Sequence, residues 1–538
     1  FRRYQVKISV IMSLGKEKSD GGIEYKWKIT SLSEEKLERI ATQMKYRIQE
    51  GGGEAIYEIG VRDDGQLIGV SERELELTLS NLRQAAEKIG AKITILRELK
   101  GREGKIVEVL VRRTRENNLP IFLMIPVLGN VDSGKSTLIS VLLSNELDDG
   151  NSLAMKKICR FKHELETGRT SSISTHVLGF DDKGEVINYS LISPFDEVEV
   201  YLRGSKIVMF VDLGGHERYF GRTTLKGIMG HIPDYAALIV AANAGIQPMT
   251  KEHLGVCIAL KIPIFIVVTK IDLVHREIVD RCIEDIKRLL KMPGVNKIPI
   301  IIENLDDVIV SAKNMPCGRV APIFVVSNKT GEGLDLLRSF LNLLPPRLRW
   351  NDHIREQFKM YIDDKWNVKG AGPVVSGIIL SGKISQGETL FLGPFHDGSF
   401  KKVRVKSIRV CNAPVEAAIA GQEVTLALAN VEYKDIRKGM VLLEEENDLK
   451  SVRRFIGDII VLHHPTTIWE GYQAVIHVHT IRQTAKFEKL SKEPLRSGDR
   501  AEVTFRFMYK PEYVEPGQVF MFREGRTRGI GWIKEIVE

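Results

Sequence analysis

One stretch of eight residues, GNVDSGKS at 129–136, constrains the fold of this chain more than any other. It follows an apolar run at 121–128 and precedes the sequence TLISVLLS, so the pattern predicts a strand, a glycine-rich loop and a helix. Backbone N–H groups of such a loop converge on phosphates, its lysine reaches the β- and γ-phosphates, and its serine ligates Mg²⁺. The expected nucleotide-binding residues are Gly129, Asn130, Val131, Asp132, Ser133, Gly134, Lys135, Ser136 and Thr137.

The segment FIVVTKIDL predicts which base the bound nucleotide carries. Its strand ends in TKID, and the Asp272 carboxylate can accept from the two N–H donors of guanine. Adenine presents no such pair and leaves the carboxylate unpaired, which lowers affinity. Asparagine is the common first residue of this motif, and Thr269 replaces it here. With the second loop SNK, the expected base-contacting residues are Thr269, Lys270, Asp272, Ser327, Asn328 and Lys329.

A third loop, in VMFVDLGGHERYF, follows another apolar strand. Asp212 at the strand end is placed to hold Mg²⁺ through water, and the amide of Gly215 is placed to meet the γ-phosphate. His216 follows directly. A single histidine is usually structural, but beside a γ-phosphate His216 becomes the candidate catalytic residue that orients the attacking water.

Four domains are expected along the chain. Residues 1–118 mix strand and helix patterns, and residues 119–348 alternate apolar strands with helices, as in a parallel sheet covered on both faces. From 349 the helices cease, and short strands punctuated by glycine indicate two small antiparallel barrels, 349–447 and 448–538, on either side of a charged segment.

The first domain carries two helix-start signals. Ser31-x-x-Glu34 and Ser71-x-x-Glu74 both read as capping boxes, and the first helix is expected to stop at the glycines 51–53. A strand is expected at 4–12 before the first helix. This domain shows no catalytic constellation, which favours an accessory or docking role.

Composition narrows the class of protein. With 43% hydrophobic and 28% charged residues the chain can bury cores, and its apolar runs are far shorter than the ~20 residues a membrane helix needs. Its five cysteines include no C-x-x-C pair, so a disulfide framework or structural zinc is disfavoured and a cytoplasmic location expected. A net charge of +8 is compatible with a polyanionic partner.

Together, GNVDSGKS, DLGGHE, TKID and SNK resemble the GTPase core of the translational GTPases, the group of elongation factor Tu. A closer resemblance, from about 120 to 538, is to the GTPBP family of these factors. The segments that carry it are HELETGRTSSIS (163–174), PTTIWEGYQAVIHVHTIRQTAKF (465–487), LRSGDRAEVTFRF (495–507) and FREGRTRGIGWI (522–533).

The resemblance implies an α/β P-loop GTPase domain followed by two antiparallel β-barrels, with an N-terminal α+β domain. It implies Mg²⁺-dependent hydrolysis of GTP to GDP and phosphate by a monomer that binds aminoacyl-tRNA and acts at the ribosome. Asp132 is then expected to help hold a monovalent cation. Thr170 is the expected switch hydroxyl on Mg²⁺, with Ser171 and Ser172 as rivals, so the expected metal-binding residues are Ser136, Thr170, Asp212 and Asp132.

Two other functions remain open at this point. One is a GTP-regulated RNA-binding adaptor whose N-terminal domain docks RNA-decay machinery. The other is a regulatory GTPase subunit of a metabolic enzyme, as in sulfate adenylyltransferase, which the intact RQTAK and FREGRT segments disfavour.

Two basic clusters are candidate RNA surfaces. The sequence KKVRVKSIRV places Lys402, Arg404 and Lys406 on one face of a strand, although such a face can also be simply solvated. The resemblance also implies that a second cluster, Arg523, Arg526 and Arg528, faces tRNA. The chain departs from the family pattern in an insertion from Asn145 and another at about 302–320.

Overall fold

The computed structural model describes residues 15–116, 118–150, 153–158, 173–216, 224–445 and 449–538. The switch candidates Thr170, Ser171 and Ser172 and the strand expected at 4–12 lie outside this part of the chain. Among the described residues, no helix combines the length and apolar character that spanning a bilayer requires.

The N-terminal domain is a four-stranded sheet with two helices on one face. In chain order its elements are β1 (Ile23–Lys26), α1 (Glu34–Glu50), β2 (Glu54–Ile59), α2 (Glu72–Lys88), β3 (Ala91–Lys100) and β4 (Lys105–Arg113). The strand order is β1-β2-β4-β3, with β1 and β2 parallel and the other pairs antiparallel. The helices bury an apolar stripe that includes Met44, Ile48 and Leu82 against Tyr57 and Val109 of the sheet.

The two helix-start predictions have different outcomes. At α2 both bonds of the predicted Ser71–Glu74 capping box are present. At α1 the predicted cap is wrong by two residues, because the Ser33 side chain accepts from the backbone N–H of Lys36. The Ser31 hydroxyl instead accepts from the Lys36 ammonium group. The helix ends at Gly51 as expected, where a Cβ would lie 1.9 Å from the carbonyl oxygen of Glu54.

The GTPase-like domain is a seven-stranded sheet with helices on both faces. Its strands are β5 (Ile121–Gly129), β6 (Ser174–Phe180), β7 (Lys206–Asp212), β8 (Ala236–Ala241), β9 (Ile264–Thr269), β10 (Ile298–Ile301) and β11 (Val320–Val325). Their order is β10-β11-β9-β8-β5-β7-β6, all parallel except β6. The helices are α3 (Lys135–Ser144), α4 (Leu153–Lys156), α5 (Glu197–Arg203), α6 (Leu225–His231), α7 (Pro248–Ala259), α8 (Arg276–Lys291), α9 (Leu305–Asn314) and α10 (Leu334–Leu343).

Pro126 lies inside the central strand β5, where a proline normally breaks the ladder. Pairing of β5 with β8 begins one residue later, at Val127. Before that point, the backbone N–H of Met124 donates to the Asp234 carboxylate, and the Asp234 N–H donates to the Met124 carbonyl. The missing N–H of Pro126 therefore falls where the Asp234 side chain has replaced the ladder.

Two antiparallel barrels complete the chain after a short α11 (Trp350–His353). The first comprises β12 (Lys359–Tyr361), β13 (Asp364–Val368), β14 (Gly372–Ser381), β15 (Lys383–Ser385), β16 (Thr389–Gly393), β17 (Lys401–Val410), β18 (Ala413–Val415), β19 (Ala417–Ile419), β20 (Glu423–Ala429) and β21 (Val441–Leu443). Pairing of β12 with β14 closes six of these strands into a ring. The second is a closed barrel of β22 (Arg454–His463), β23 (Gln473–Val478), β24 (Ile481–Leu490), β25 (Arg500–Phe507), β26 (Val519–Glu524) and β27 (Thr527–Ile536). The expected fold class is confirmed.

A buried ion-pair network joins the N-terminal sheet to the GTPase-like domain. The Lys206 ammonium group, 0% exposed, donates to Glu54 Oε1 (2.7 Å) and to the carbonyl of Leu344 (2.5 Å). Arg112 donates to Glu54 Oε2 (2.9 Å) and to Asn342 Oδ1 (2.8 Å). Burial lowers the pKa of Lys206 to about 8, with Glu54 opposing the shift.

The insertion expected before the last nucleotide loop also serves this junction. It forms α9, whose Lys313 makes ion pairs with Glu58 and Glu108 of the N-terminal sheet. Asp306 at the other end of α9 accepts from Arg97 of β3 (3.1 Å). The insertion is therefore a docking helix for the N-terminal domain.

Candidate nucleotide-binding site

The loop between β5 and α3 has the backbone that a phosphate cradle needs. Asp132 (φ 58°) and Gly134 (φ 85°) both adopt left-handed conformations, so the loop turns back toward the end of its own strand. Gly129 leaves β5 where a Cβ would lie 2.5 Å from the carbonyl oxygen of Ile239. The N-terminus of α3, with its unpaired N–H groups, therefore opens onto the loop.

Lys135 is a buried cation in the middle of this loop. Its ammonium group donates to the carbonyl oxygens of Asn130 (2.8 Å) and Gly129 (3.3 Å). Burial lowers the pKa of Lys135, and the Asp212 and Asp132 carboxylates oppose that shift. A cation held by neutral carbonyls in a low-dielectric site attracts a polyphosphate strongly.

Oxygen ligands suited to Mg²⁺ meet beside Lys135. The Ser136 hydroxyl, in the first turn of α3, donates to Asp212 Oδ2 at the end of β7 (2.5 Å). Hydroxyl and carboxylate oxygens are the ligands this cation prefers, so the residues present fit the metal.

The DLGGHE loop lies directly against the phosphate loop. A Cβ on Gly215 would be 2.6 Å from Lys135 Nζ and 2.7 Å from the carbonyl oxygen of Asn130, so only glycine fits there. His216 follows as an exposed residue. Leu213 anchors the other side of the loop, since it is buried and lies 2.4 Å from the position of a Cβ on Gly227 of α6.

The two loops expected to contact the base are hydrogen-bonded to the phosphate loop and to each other. The buried Thr269 hydroxyl donates to the carbonyl of Ser133 (2.7 Å), so this side chain faces the phosphate loop. The Ser327 hydroxyl donates to Asp272 Oδ1 (2.7 Å) and fixes the orientation of the exposed carboxylate. Asn328 accepts, through its backbone carbonyl, from the N–H of Asp148 in the insertion after α3. Lys270 adopts a left-handed conformation at the end of β9.

One residue beside the loop escaped sequence reasoning. His253 on α7 is 1% exposed, and burial together with Lys135 lowers its pKa to about 3. A neutral imidazole there places no second positive charge beside Lys135. An isolated histidine in the sequence TKEHLGV carries no local signal for this placement.

The three arginines expected to face tRNA differ in their surroundings. Arg528 forms an ion pair with Glu252 of α7 (2.7 Å), and Arg523 lies opposite Arg528 in the β26–β27 ladder. Both line a cavity of about 210 Å³ between the GTPase-like domain and the second barrel, whereas Arg526 at the hairpin tip is exposed. Of the three arginines, Arg523 and Arg528 are therefore half-buried between domains and Arg526 is exposed.

The basic face of the first barrel is organised as expected. Lys402, Arg404 and Lys406 are exposed on β17, and Val403 and Val405 between them are fully buried. The Lys406 ammonium group donates to the carbonyl of Ala371 (2.7 Å).

A phosphate loop, a hydroxyl and carboxylate pair suited to Mg²⁺ and an aspartate on the expected base side, all at the ends of parallel strands, are typical of P-loop GTPases. Residues 121–346 match the family described as elongation factor Tu GTP binding domain, 372–443 match elongation factor Tu domain 2, and 448–537 match the elongation factor Tu C-terminal domain. The chain is 43% identical over 530 residues to GTP-binding protein 2 of Homo sapiens, covering 97% of this chain and 88% of that protein. It belongs to the GTP-binding protein 1/2 (GTPBP) family of elongation factor Tu-like GTPases, which confirms the resemblance and the GTPase activity.

Other relatives match the chain over different shares of its length. GTP-binding protein 1 of Xenopus laevis is 43% identical (97% of this chain, 79% of that protein), and elongation factor 1-alpha of Pyrococcus furiosus is 28% identical (72% and 90%). Among solved structures, bacterial selenocysteine-specific elongation factor EF-Sec has a TM-score of 0.54 at 20% identity (77% of this chain, 58% of that chain). SelB of Methanococcus maripaludis with the GTP analogue GppNHp has 0.54 at 21% (77% and 79%). The similarity to these two solved structures supports the fold of this chain.

Proposed function

We propose that this GTPase binds aminoacyl-tRNA and acts at the ribosome, in elongation, rescue or quality control. The observation that carries the proposal is the position of α6, which follows the DLGGHE loop and contacts both barrels. Lys226 of α6 forms an ion pair with Asp363 of the first barrel (2.9 Å) and donates to its carbonyl (2.7 Å). A Cβ on Gly230 would lie 3.0 Å from Thr480 Cγ2 of the second barrel. The nucleotide state can therefore reach the surfaces expected to hold tRNA.

The hydrolytic site follows from the residues already placed. Lys135 and the backbone of 129–136 hold the phosphates, while Ser136 and Asp212 hold Mg²⁺, with Thr170 as the proposed third ligand. Held there, Mg²⁺ would supply positive charge that offsets the negative charge developing on the phosphates during transfer. His216 orients the attacking water, and Asp132 supplies an oxygen toward a monovalent cation.

The experiment that tests this function is protection of the aminoacyl ester of charged tRNA from hydrolysis, together with GTP turnover with and without ribosomes. Protection by the GTP form alone, with turnover raised by ribosomes, supports a tRNA carrier. RNA affinity that ignores both aminoacylation and the bound nucleotide rejects it.

A second candidate is a GTP-regulated RNA-binding adaptor, cytoplasmic and monomeric, whose N-terminal domain recruits RNA-decay machinery. The docking of that domain through Lys206 and Lys313 favours it, because a domain fixed by buried ion pairs can present a partner surface in a constant orientation. Co-purification of nucleases that depends on residues 15–116 but is indifferent to ribosomes would support this candidate.

A further inference from the structure

A large cleft opens where the N-terminal domain, the GTPase domain and the first barrel meet. Its volume is about 920 Å³, within the range of small-molecule sites. The walls are the glycine turn 51–53 and the end of β4, the segments 118–122 and 343–352, and the barrel loop 419–422. No step assigned to the nucleotide site uses any of these residues.

The cleft is separate from the GTP site. Ile121, at the start of β5, lines the cleft, and the phosphate loop begins at Gly129, the end of the same strand. Nine extended residues place the two ends about 26 Å apart at the usual strand rise. A ligand in the cleft therefore does not touch GTP.

Arginines dominate the charge of the walls. Arg113, Arg115, Arg349 and Arg355 all line the cleft. Within the described residues, neither the Arg113 nor the Arg355 guanidinium group makes a hydrogen bond or an ion pair, and Arg349 has Glu50 at 3.7 Å. Burial lowers the pKa of Arg113, as expected for a guanidinium that has lost water without gaining a counter-charge.

The walls are fixed in place by close approaches. A Cβ on Gly52 (φ +72°) would lie 2.8 Å from Pro346 Cγ, so the glycine turn of the N-terminal domain rests on the GTPase domain. The indole of Trp350, which also lines the cleft, lies 2.4 Å from the position of a Cβ on Gly421 in the barrel. The cleft is thus a preformed site with an aromatic wall.

From this arrangement we infer that the cleft binds a phosphate-bearing small molecule of nucleotide size. Arg113 and Arg355 bind its phosphates, because planar guanidinium groups match phosphate oxygens in pairs. Trp350 provides the apolar wall against which its base or another flat group packs. A ligand held by all three domains also holds those domains together.

The test is binding of radiolabelled ATP, by equilibrium dialysis, to the full chain saturated with GDP and Mg²⁺. The GDP occupies the guanine site, so saturable binding of one ATP per chain reports the cleft. Inorganic tripolyphosphate should displace this ATP. The Arg113→Ala/Arg355→Ala variant should bind ATP at least about tenfold more weakly, because each lost charge-assisted bond is worth about that factor.

Two comparisons make the result decisive. Arg39→Ala/Arg73→Ala removes the same charge from exposed positions on α1 and α2 and should leave ATP binding unchanged. Arg113→Lys keeps the charge but loses the planar fork, and should give an intermediate affinity. Absence of saturable ATP binding overturns the inference, as does failure of tripolyphosphate to compete or an equal loss in the control variant. Cleft-dependent binding of an RNA oligonucleotide without binding of ATP also overturns it.

Discussion

At the scale of single residues, the base loop shows how one substitution is accommodated. Thr269 stands where asparagine is common, and its hydroxyl is used in a bond to the phosphate loop. Base recognition is then expected to depend on Asp272, whose carboxylate Ser327 holds in position. The two side chains suit these different roles. The short hydroxyl of Thr269 reaches the adjacent backbone, whereas the carboxylate of Asp272 can accept from two donors at once.

Asp272→Asn should lower GTP affinity by ~10²-fold or more, because guanine then faces an amide that cannot accept both of its N–H groups. The same variant should gain affinity for xanthosine nucleotides relative to GTP. Competition of GTP, ATP and XTP against labelled GDP measures both effects, with Asp285→Asn on α8 as the control. Equal competition by ATP and GTP against the unaltered chain would contradict guanine selectivity.

His216→Ala should retain GTP affinity and slow hydrolysis, most strongly under ribosome stimulation, because His216 follows the glycine that lies against Lys135. Binding and single-turnover rates measured on the same preparation separate the two effects. His396→Ala, an exposed position on the first barrel, is the control. If the ribosome-stimulated rate of the variant stays within about twofold of that of the unaltered chain, a group other than His216 orients the attacking water.

At the scale of elements, local pattern predicted what local forces determine. The sequence located the strand before the phosphate loop and the capping box of α2, because alternation and cap spacing act within a few residues. It located an insertion near 302–320 but not its purpose, because Lys313 and Glu58 are 255 positions apart. The ion pair of Arg528 with Glu252 could not be predicted either, because contacts between domains do not appear in the periodicity of the sequence.

Lys206→Met should loosen the N-terminal domain. Removing one member of a buried ion-pair network leaves Glu54 short of a counter-charge and costs about 3–5 kcal/mol. Amide hydrogen exchange in β2 and β4 should therefore accelerate by on the order of 100-fold or more. Lys291→Met, at the exposed end of α8, should leave exchange unchanged. Unaltered protection in β2 would show that other contacts carry the docking.

At the scale of the whole molecule, the contacts of α6 and α7 with the barrels link the nucleotide to distant surfaces. Lys226 reaches the first barrel and Glu252 reaches Arg528 of the second. The resemblance to a known family predicted the order of the domains. It did not predict these contacts, because they depend on how the folded domains pack against each other. They leave the face of Lys402, Arg404 and Lys406 open to a polyanion, together with Arg526.

If that face binds tRNA phosphates, replacing Lys402, Arg404 and Lys406 with alanine should weaken binding of all tRNA species alike. The log–log salt dependence should flatten by about one unit for each lost contact. Selectivity for the aminoacylated end should survive, because phosphate contacts position a nucleic acid and do not specify it. Ester protection across a salt series, in GTP and GDP, is the measurement, with Arg39, Lys45 and Arg73 replaced together as a charge-matched control. An unchanged slope would show that this face of β17 is only solvated. Three exposed cations that release no counterions on binding do not contact the RNA.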